Sequence, residues 1–264
     1  MKSQRFVLWT VCLLTMMVPA IMQSGDLVSG RVERSIGVAP RGQVSSIAYS
    51  YYASTPDMPA YQRAVNTFIA GSVGSLWQDQ PDRSTSMLSR EWFDTVLADV
   101  DSMCRVTRAD IPEMAPWTLI DSIEISDQIV VNGRPTELVQ VFRTRYQFTG
   151  GAHGLSTTLS TLFDRTTGQT VSLFTLLGSN KKKFSLLAER HFRTQQRIPR
   201  GTSLKKAGYW FEKGFQPTDN IQFEGDALVL IYNPYEIAPY VYGTIRVRLP
   251  IAEVLPLLSL PYAR

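Results

Sequence analysis

The sequence predicts an α+β fold with mostly antiparallel sheets and a few packed helices. Strand-like runs with a two-residue alternation cluster together, and amphipathic helical segments stand apart from them. Turn signals such as Asn132-Gly133 separate neighbouring strands by only a few residues. The chain has 264 residues, of which 44% are hydrophobic and 11% aromatic, so it contains enough apolar side chains for a sizeable core.

The first 20 residues show the three parts of a secretory signal peptide. Lys2 and Arg5 precede an almost continuous apolar run over residues 6–17, and Val18-Pro-Ala20 offers small residues for cleavage. The run is short for a membrane span, which needs about 20 apolar residues, and an uncleaved anchor is the alternative. We therefore expect an exported protein, periplasmic or associated with the cell envelope, with no membrane span after cleavage.

The following residues, 21–43, are rich in Gly, Ser, Arg and Val without periodicity, which predicts a flexible leader. An N-terminal portion then begins with a strand over 44–53. Two amphipathic helices follow, the first opening at Asp57 and ending at Gly74, and the second over 91–104. The remaining strands of this portion form an antiparallel meander, predicted over residues 117–125, 129–131, 142–148 and 155–163.

The second half of the chain also contains both helices and strands, in a pattern of its own. Residues 181–196 have apolar side chains at helical spacing, with His191 along the apolar seam, where a hydrogen-bonded and inert role is expected. A hairpin is predicted around Glu224-Gly-Asp226. A last strand over 244–249 ends at Pro250, and a short helix follows.

Charge and cysteine content narrow the function classes. Cleavage after Ala20 removes two basic residues and no acidic one, which leaves 25 basic against 23 acidic residues. The basic groups are scattered and the run at 181–183 only opens a helix, so no nucleic-acid partner is expected. Cys12 lies in the signal, and Cys104 falls on the apolar face of a helix, which predicts a small buried core residue.

The stretch Thr149-Gly-Gly-Ala-His-Gly154 joins two predicted strands and is the most informative in the chain. Gly150, Gly151 and Gly154 exceed what a turn needs, and glycine is used where the backbone takes positive φ or is approached closely. One interpretation is a wide hairpin turn whose shape His153 holds. The other is a contact for a small ligand or glycan, made by exposed amides and the imidazole.

A second loop, Asn233-Pro-Tyr-Glu-Ile-Ala-Pro-Tyr240, is stiffened by two prolines. Its Tyr235, Glu236 and Tyr240 suit recognition of a protein or a sugar, because tyrosine gives a wide contact area at low entropic cost. A rigid crossover with inward-packed tyrosines is the alternative. Both loops are more strongly specified than a connection needs, so we predict that they meet, with His153 near Glu236 or a tyrosine.

Catalytic and metal-binding motifs are absent from the sequence. Neither histidine has a second His or a Cys three or four residues away, as a zinc site would require, and no P-loop or G-x-S-x-G elbow occurs. Ser156, His153 and Asp164 can be written as a triad, but nothing nearby defines an oxyanion hole. We therefore predict no catalytic residue, no metal and no cofactor.

The two loops, together with several short signatures around them, resemble one family of exported bacterial domains. The signatures are Phe163-Asp164, Thr167-Gly168-Gln169, Leu173-Phe174, Gly243 and Leu249-Pro250. The resemblance is to DUF3298 and DUF4163, which occur in the sensor half of lysozyme-responsive anti-sigma factors and beside peptidoglycan deacetylase domains. It spans about residues 44–258.

This resemblance implies two tightly associated halves, a DUF4163-like portion over 44–165 and a DUF3298-like portion over 166–264. It implies no enzymatic activity for the module itself. Only five residues precede the apolar run and no deacetylase domain follows, so we expect the module to stand alone.

Taken together, these features predict an exported, non-catalytic binding or sensory module of the bacterial cell envelope. A cell-wall glycan-acting enzyme using His153 and an envelope scaffold protein are the alternatives. The expected partner is an envelope or extracellular protein or a cell-wall glycan. The candidate ligand-binding residues are Gly150, Gly151, His153, Gly154, Tyr235, Glu236 and Tyr240.

Overall fold

The computed structural model describes residues 27–36, 43–74, 85–110 and 118–263. Within them it has the predicted α+β fold, in which all strand pairings but one are antiparallel. The strands are β1 (Leu27–Ile36), β2 (Gln43–Tyr52), β3 (Thr118–Ser126), β4 (Val130–Val131), β5 (Arg134–Pro135), β6 (Leu138–Phe148), β7 (Leu155–Asp164), β8 (Thr170–Val171), β9 (Ile221–Glu224), β10 (Ala227–Tyr232) and β11 (Ile245–Pro250). The helices are α1 (Ala60–Gly74), α2 (Arg90–Asp110), α3 (Leu173–Leu177), α4 (Lys181–Gln195) and α5 (Ile251–Val254).

A six-stranded sheet in the order β1-β2-β3-β6-β7-β8 forms the centre of the molecule. The one parallel pair is β2 and β3, which α1 and α2 connect. These helices cover one face of the sheet, where Ile47, Val65, Phe93 and Ile123 share an apolar core. The opposite face receives the smaller sheet, because Val229 and Ile231 of β10 pack against Phe142 of β6.

The three-stranded sheet β11-β10-β9 forms a second core with α4 and α5. Leu138 and Leu162 of the large sheet belong to this same apolar cluster. The end of the chain also returns to the first half, where Tyr262 bridges to Thr136 and its ring lies 4.3 Å beneath the guanidinium of Arg134. These shared contacts make the two halves tightly associated.

The segment before β2 contains a strand. Residues 27–36 form β1, so the prediction of a flexible leader over 21–43 is wrong for this part, while the predicted signal peptide lies outside the described residues. β1 pairs with β2 along its whole length, and Arg34 forms an ion pair with Asp94 of α2 at 2.9 Å. Over residues 27–34, where burial is described, Val32 is the buried side chain, and this gives too weak an alternation to reveal a strand in the sequence.

The alternation on β6 is inverted at its centre relative to the predicted pattern. Arg143 is only 8% exposed, whereas Tyr146 on the other face is 36% exposed. Arg143 is buried because Asp121 on the neighbouring β3 lies beside it, with Nε 2.8 Å from Oδ1. Arg145 also reaches Asp121, at 3.2 Å, and both arginines donate to the carbonyl oxygen of Ser72 near the end of α1.

Side-chain carboxamides occupy strand edges in place of partner strands. Gln140 donates to the carbonyl oxygen of Ile221 and accepts from the amide of Phe223 on the edge strand β9, each at 3.3 Å. Gln195 does the same for Arg248 on the edge strand β11, at 2.7 and 3.0 Å. A carboxamide offers one donor and one acceptor in one plane, so it can replace a peptide group. These edges are thereby covered.

Two further expectations concern α2 and α4. Cys104 is 1% exposed, which confirms that it is a buried core residue. His191 lies with Nε2 3.3 Å from Oε2 of Glu253, in agreement with a hydrogen-bonded boundary histidine. Among the described helices, none combines the length and apolar character that crossing a membrane requires.

Candidate functional site

The glycine loop connects β6 to β7, and its glycines serve both predicted purposes. Gly150 and Gly151 have φ values of 101° and 95°, in the region that favours glycine. Gly154 instead permits a close approach, because a Cβ there would lie 2.5 Å from Cζ and Cε2 of Tyr146. The ring of Tyr146 therefore lies directly against the backbone of Gly154.

The second loop begins at Asn233, whose carboxamide binds the open edge of β7. Its Oδ1 accepts the amide of Thr158 at 2.6 Å, and its Nδ2 donates to the carbonyl oxygen of Thr158 at 2.9 Å. Asn220 continues this pattern by accepting the amide of Ser160 at 2.8 Å. The pairing of β7 with β8 covers only Leu162 and Phe163, so these asparagines replace the missing strand.

The two loops meet, as predicted. The hydroxyl of Tyr240 donates to the carbonyl oxygen of Gly154 at 2.6 Å, and its ring stacks on His153 with centroids 3.7 Å apart and planes at 14°. Glu236 is not the partner of the imidazole, because it accepts a hydrogen bond from Asn233 at 3.0 Å. His153 and Tyr240 thus form a joint between the large sheet and the second loop.

Tyr235 stands at the outer side of this joint. Its ring centroid is 5.7 Å from that of Tyr240, yet 51% of the residue is exposed. Its φ of 71° is in the left-handed region, which is rare for a bulky side chain. The loop is anchored at Asn233 and Tyr240, so it holds Tyr235 in this position.

The joint gives a direct test of the role of His153. Replacing His153 with alanine should lower the free energy of unfolding by about 0.5–1.5 kcal/mol, the value of an aromatic stacking contact. Urea denaturation monitored by circular dichroism would measure the change. His191→Ala serves as the control, because it removes only the long hydrogen bond to Glu253. For this control we expect a loss of free energy of unfolding of about 0.5 kcal/mol. An unchanged midpoint for His153→Ala would contradict the joint.

Sequence reasoning missed a third element of the site, the segment around Trp210. The amide of Trp210 donates to the carbonyl oxygen of Ile237 in the second loop at 2.8 Å, while 51% of Trp210 is exposed. Trp210, Phe211 and Glu212 form a ridge between two clefts of about 810 Å³ and 550 Å³. The run of three aromatic residues at 209–211 inside a loop-like segment was the available signal.

Both clefts have the mixed lining of ligand sites, and the smaller one includes Glu236 of the second loop. Burial raises the pKa of Tyr209, in the larger cleft, and of Tyr232, in the smaller one. Their hydroxyls therefore stay protonated and donate to Gln196 and Gln216, at 3.0 and 2.8 Å. The tyrosines fix the walls of the clefts and do not supply an ionised oxygen.

The residues of the hypothetical triad do not come together. Ser156 and Asp164 lie eight residues apart on β7, a separation of roughly 27 Å along a strand. Across the described ranges, no three His, Cys, Asp or Glu side chains are grouped as metal ligands would be. Of the candidate residues, the glycine loop with His153 contacts Tyr240, and Tyr235 and Glu236 lie on the same loop as Tyr240.

Part of the chain matches a known protein family. Residues 172–252 match the model of DUF3298, a protein family of unknown function. Over these residues the chain is similar to DUF3298. No curated protein matches the chain. The matched segment contains the Trp210 ridge and the second loop, whereas the glycine loop lies before it. The His153–Tyr240 joint therefore attaches the matched segment to the large sheet.

Two solved structures described as DUF3298 family proteins have a similar fold over nearly the whole chain. The first, from Bacteroides fragilis, has a TM-score of 0.61 and 18% identity, and the match covers 89% of this chain and 93% of that one. The second, from Pseudomonas aeruginosa PAO1, has a TM-score of 0.58 and 16% identity, covering 90% and 96%. The similarity of fold to these two structures thus extends to the large sheet, which precedes the segment matched by the family model.

Proposed function

We propose that this protein is an exported, non-catalytic binding module of the bacterial cell envelope, which contacts its ligand through Tyr235, Glu236 and Trp210. The observation that carries the proposal is the state of Tyr235. A left-handed backbone at a tyrosine costs about 1–3 kcal/mol, and such strain is concentrated at functional sites. Here the strained residue presents a half-exposed ring on a firmly anchored loop, beside a cleft lined by Glu236 and Trp210.

The position of His153 favours binding over the alternative of a glycan-acting enzyme that uses this histidine. One face of the imidazole is covered by Tyr240, and Nδ1 lies 3.2 Å from the carbonyl oxygen of Gly154. The carboxylate of the second loop is engaged by Asn233. A general base is normally oriented by a third group and faces its substrate, whereas His153 takes part in a joint.

Export is part of the proposal and is supported by the charged start, apolar run and small residues of the first 20 positions. The resemblance to modules found in envelope proteins agrees with it. A module outside the cell would meet envelope proteins, extracellular proteins and cell-wall glycan.

Affinity capture from envelope extracts and from purified peptidoglycan tests this function. The tagged full chain should retain a specific partner, and Tyr235→Ala should weaken retention roughly tenfold or more if this ring is a binding hot spot. Phe174→Ala is the matched control, because Phe174 is an exposed aromatic residue outside the clefts and both loops. Protein recovered from the envelope should begin near residue 21, which reports on export in the same preparation.

Equal retention by the wild-type and Tyr235→Ala proteins would refute this contact surface. Release of new saccharide products, detected by mass spectrometry and lost in His153→Ala, would instead establish the enzyme. Retention of several envelope proteins that is unaffected by Tyr235→Ala would favour the scaffold.

A further inference from the structure

We infer that the two clefts beside Trp210 form one groove for a neutral saccharide chain of several units, which crosses the ridge at Trp210. This inference rests on the proposed binding function and names its ligand class. It depends on three observations: the shared wall of the clefts, the balance of their charges, and the carboxamides that cover strand edges in the same half of the molecule.

The shared wall makes the clefts neighbours along one surface. Trp210, Phe211 and Glu212 line both of them, and Trp210 is half-exposed between them. A ligand confined to one cleft would leave the other face of the ridge empty. A ligand long enough to cross the ridge would use both cavities and the indole, which is a suitable surface for the apolar face of a sugar ring.

The charges of the groove favour a ligand without net charge. Three acidic residues line the two clefts, and three basic residues balance them: Glu189, Glu212 and Glu236, with Arg193, Lys205 and Lys213. A groove for a polyanion would present basic groups in excess. Carboxylate and cationic groups together offer acceptors and donors to hydroxyl groups, each of which can act as both.

The covered strand edges disfavour an extended peptide as the ligand. Peptides of that kind bind largely through main-chain hydrogen bonds to an exposed strand edge. In this half of the molecule, carboxamides occupy the edges at Ile221 and Phe223 of β9 and at Arg248 of β11. A saccharide is bound mainly by side chains, so its binding needs no exposed strand edge.

Isothermal titration calorimetry of the full chain with N-acetylglucosamine oligomers of two, four and six units tests the groove. The affinity should rise at least about tenfold from the two-unit to the six-unit probe, because the longer chain fills both clefts. Trp210→Ala should weaken six-unit binding by roughly tenfold or more. Lys205→Ala in the larger cleft and Lys213→Ala in the smaller one should both weaken it.

Lys206→Ala is the matched control, because Lys206 is exposed next to Lys205 and lines neither cleft. Circular dichroism of each variant establishes that it is folded. Equal affinity for the two-unit and six-unit probes would overturn the single groove while leaving the proposed binding function intact. Tighter binding of a sulfated glycosaminoglycan, or capture of an envelope protein with no response to any oligomer, would overturn the neutral saccharide as the ligand.

Discussion

Replacing Asp121 with alanine should lower the free energy of unfolding by about 3–5 kcal/mol, the largest effect we expect of any single substitution at a polar position. Asp121 is 1% exposed and is the counter-ion of both Arg143 and Arg145. Its removal would leave two guanidinium groups between the sheet and α1, where both donate to the carbonyl oxygen of Ser72. Burial raises the pKa of Asp121 above its ordinary value, and the attraction of Arg143 offsets only part of this rise.

Chemical denaturation of the variant measures this loss. Glu224→Ala is the matched control, because Glu224 pairs with Arg246 and Arg248 at the surface. For this control we expect the free energy of unfolding to fall by about 1 kcal/mol or less. Asp121→Asn keeps the shape of the side chain and removes only the charge. If Asp121→Ala costs no more than Glu224→Ala, the buried cluster does not hold the sheet to α1.

Replacing Gly154 with alanine should lower the free energy of unfolding by about 1–3 kcal/mol, because the added methyl group collides with the ring of Tyr146. The collision also shifts the carbonyl oxygen that Tyr240 binds. Binding through Tyr235 should weaken with it, because Tyr240 anchors the loop that carries Tyr235. Thermal denaturation and partner retention measure the two effects.

A second substitution identifies the cause. Tyr146→Ala in the same chain should restore most of the stability lost in Gly154→Ala, because it removes the ring. Gly151→Ala is the control, since Gly151 has a φ of 95° and open space around its Cα. Its cost should come from backbone strain alone, and Tyr146→Ala should give no rescue there. An additive double mutant at 146 and 154 would exclude the collision.

Much of the fold follows from periodicity that the sequence displays directly. Local periodicity of apolar residues was sufficient to predict three elements, because each buries one face. They are the hairpin at residues 221–232, the helix over 181–195 and the last strand. The meeting of the two loops was also predictable. Glycine permits a close approach to the backbone and proline restricts φ, so both indicate a loop with a defined conformation.

The features that sequence reasoning missed depend on partners distant in the chain. β1 is a strand because β2 is beside it, and the side chains at 27–34 hardly alternate in burial. Arg143 is buried because Asp121 lies across from it on β3, a pairing that no local pattern shows. The Trp210 ridge becomes a site only when Ile237 holds its backbone next to the second loop.

The carboxamides at the strand edges have a consequence for the conditions under which the molecule keeps its shape. Asn220 and Asn233 bind the edge of β7, and Gln140 attaches β9 to the large sheet, through hydrogen bonds between carboxamides and peptide groups. These carboxamides have no proton to gain or lose between acidic and basic media, and added salt does not screen a hydrogen bond between neutral groups. We therefore expect these contacts between the two sheets to persist in dilute and saline surroundings alike, which would suit the proposed module outside the cell.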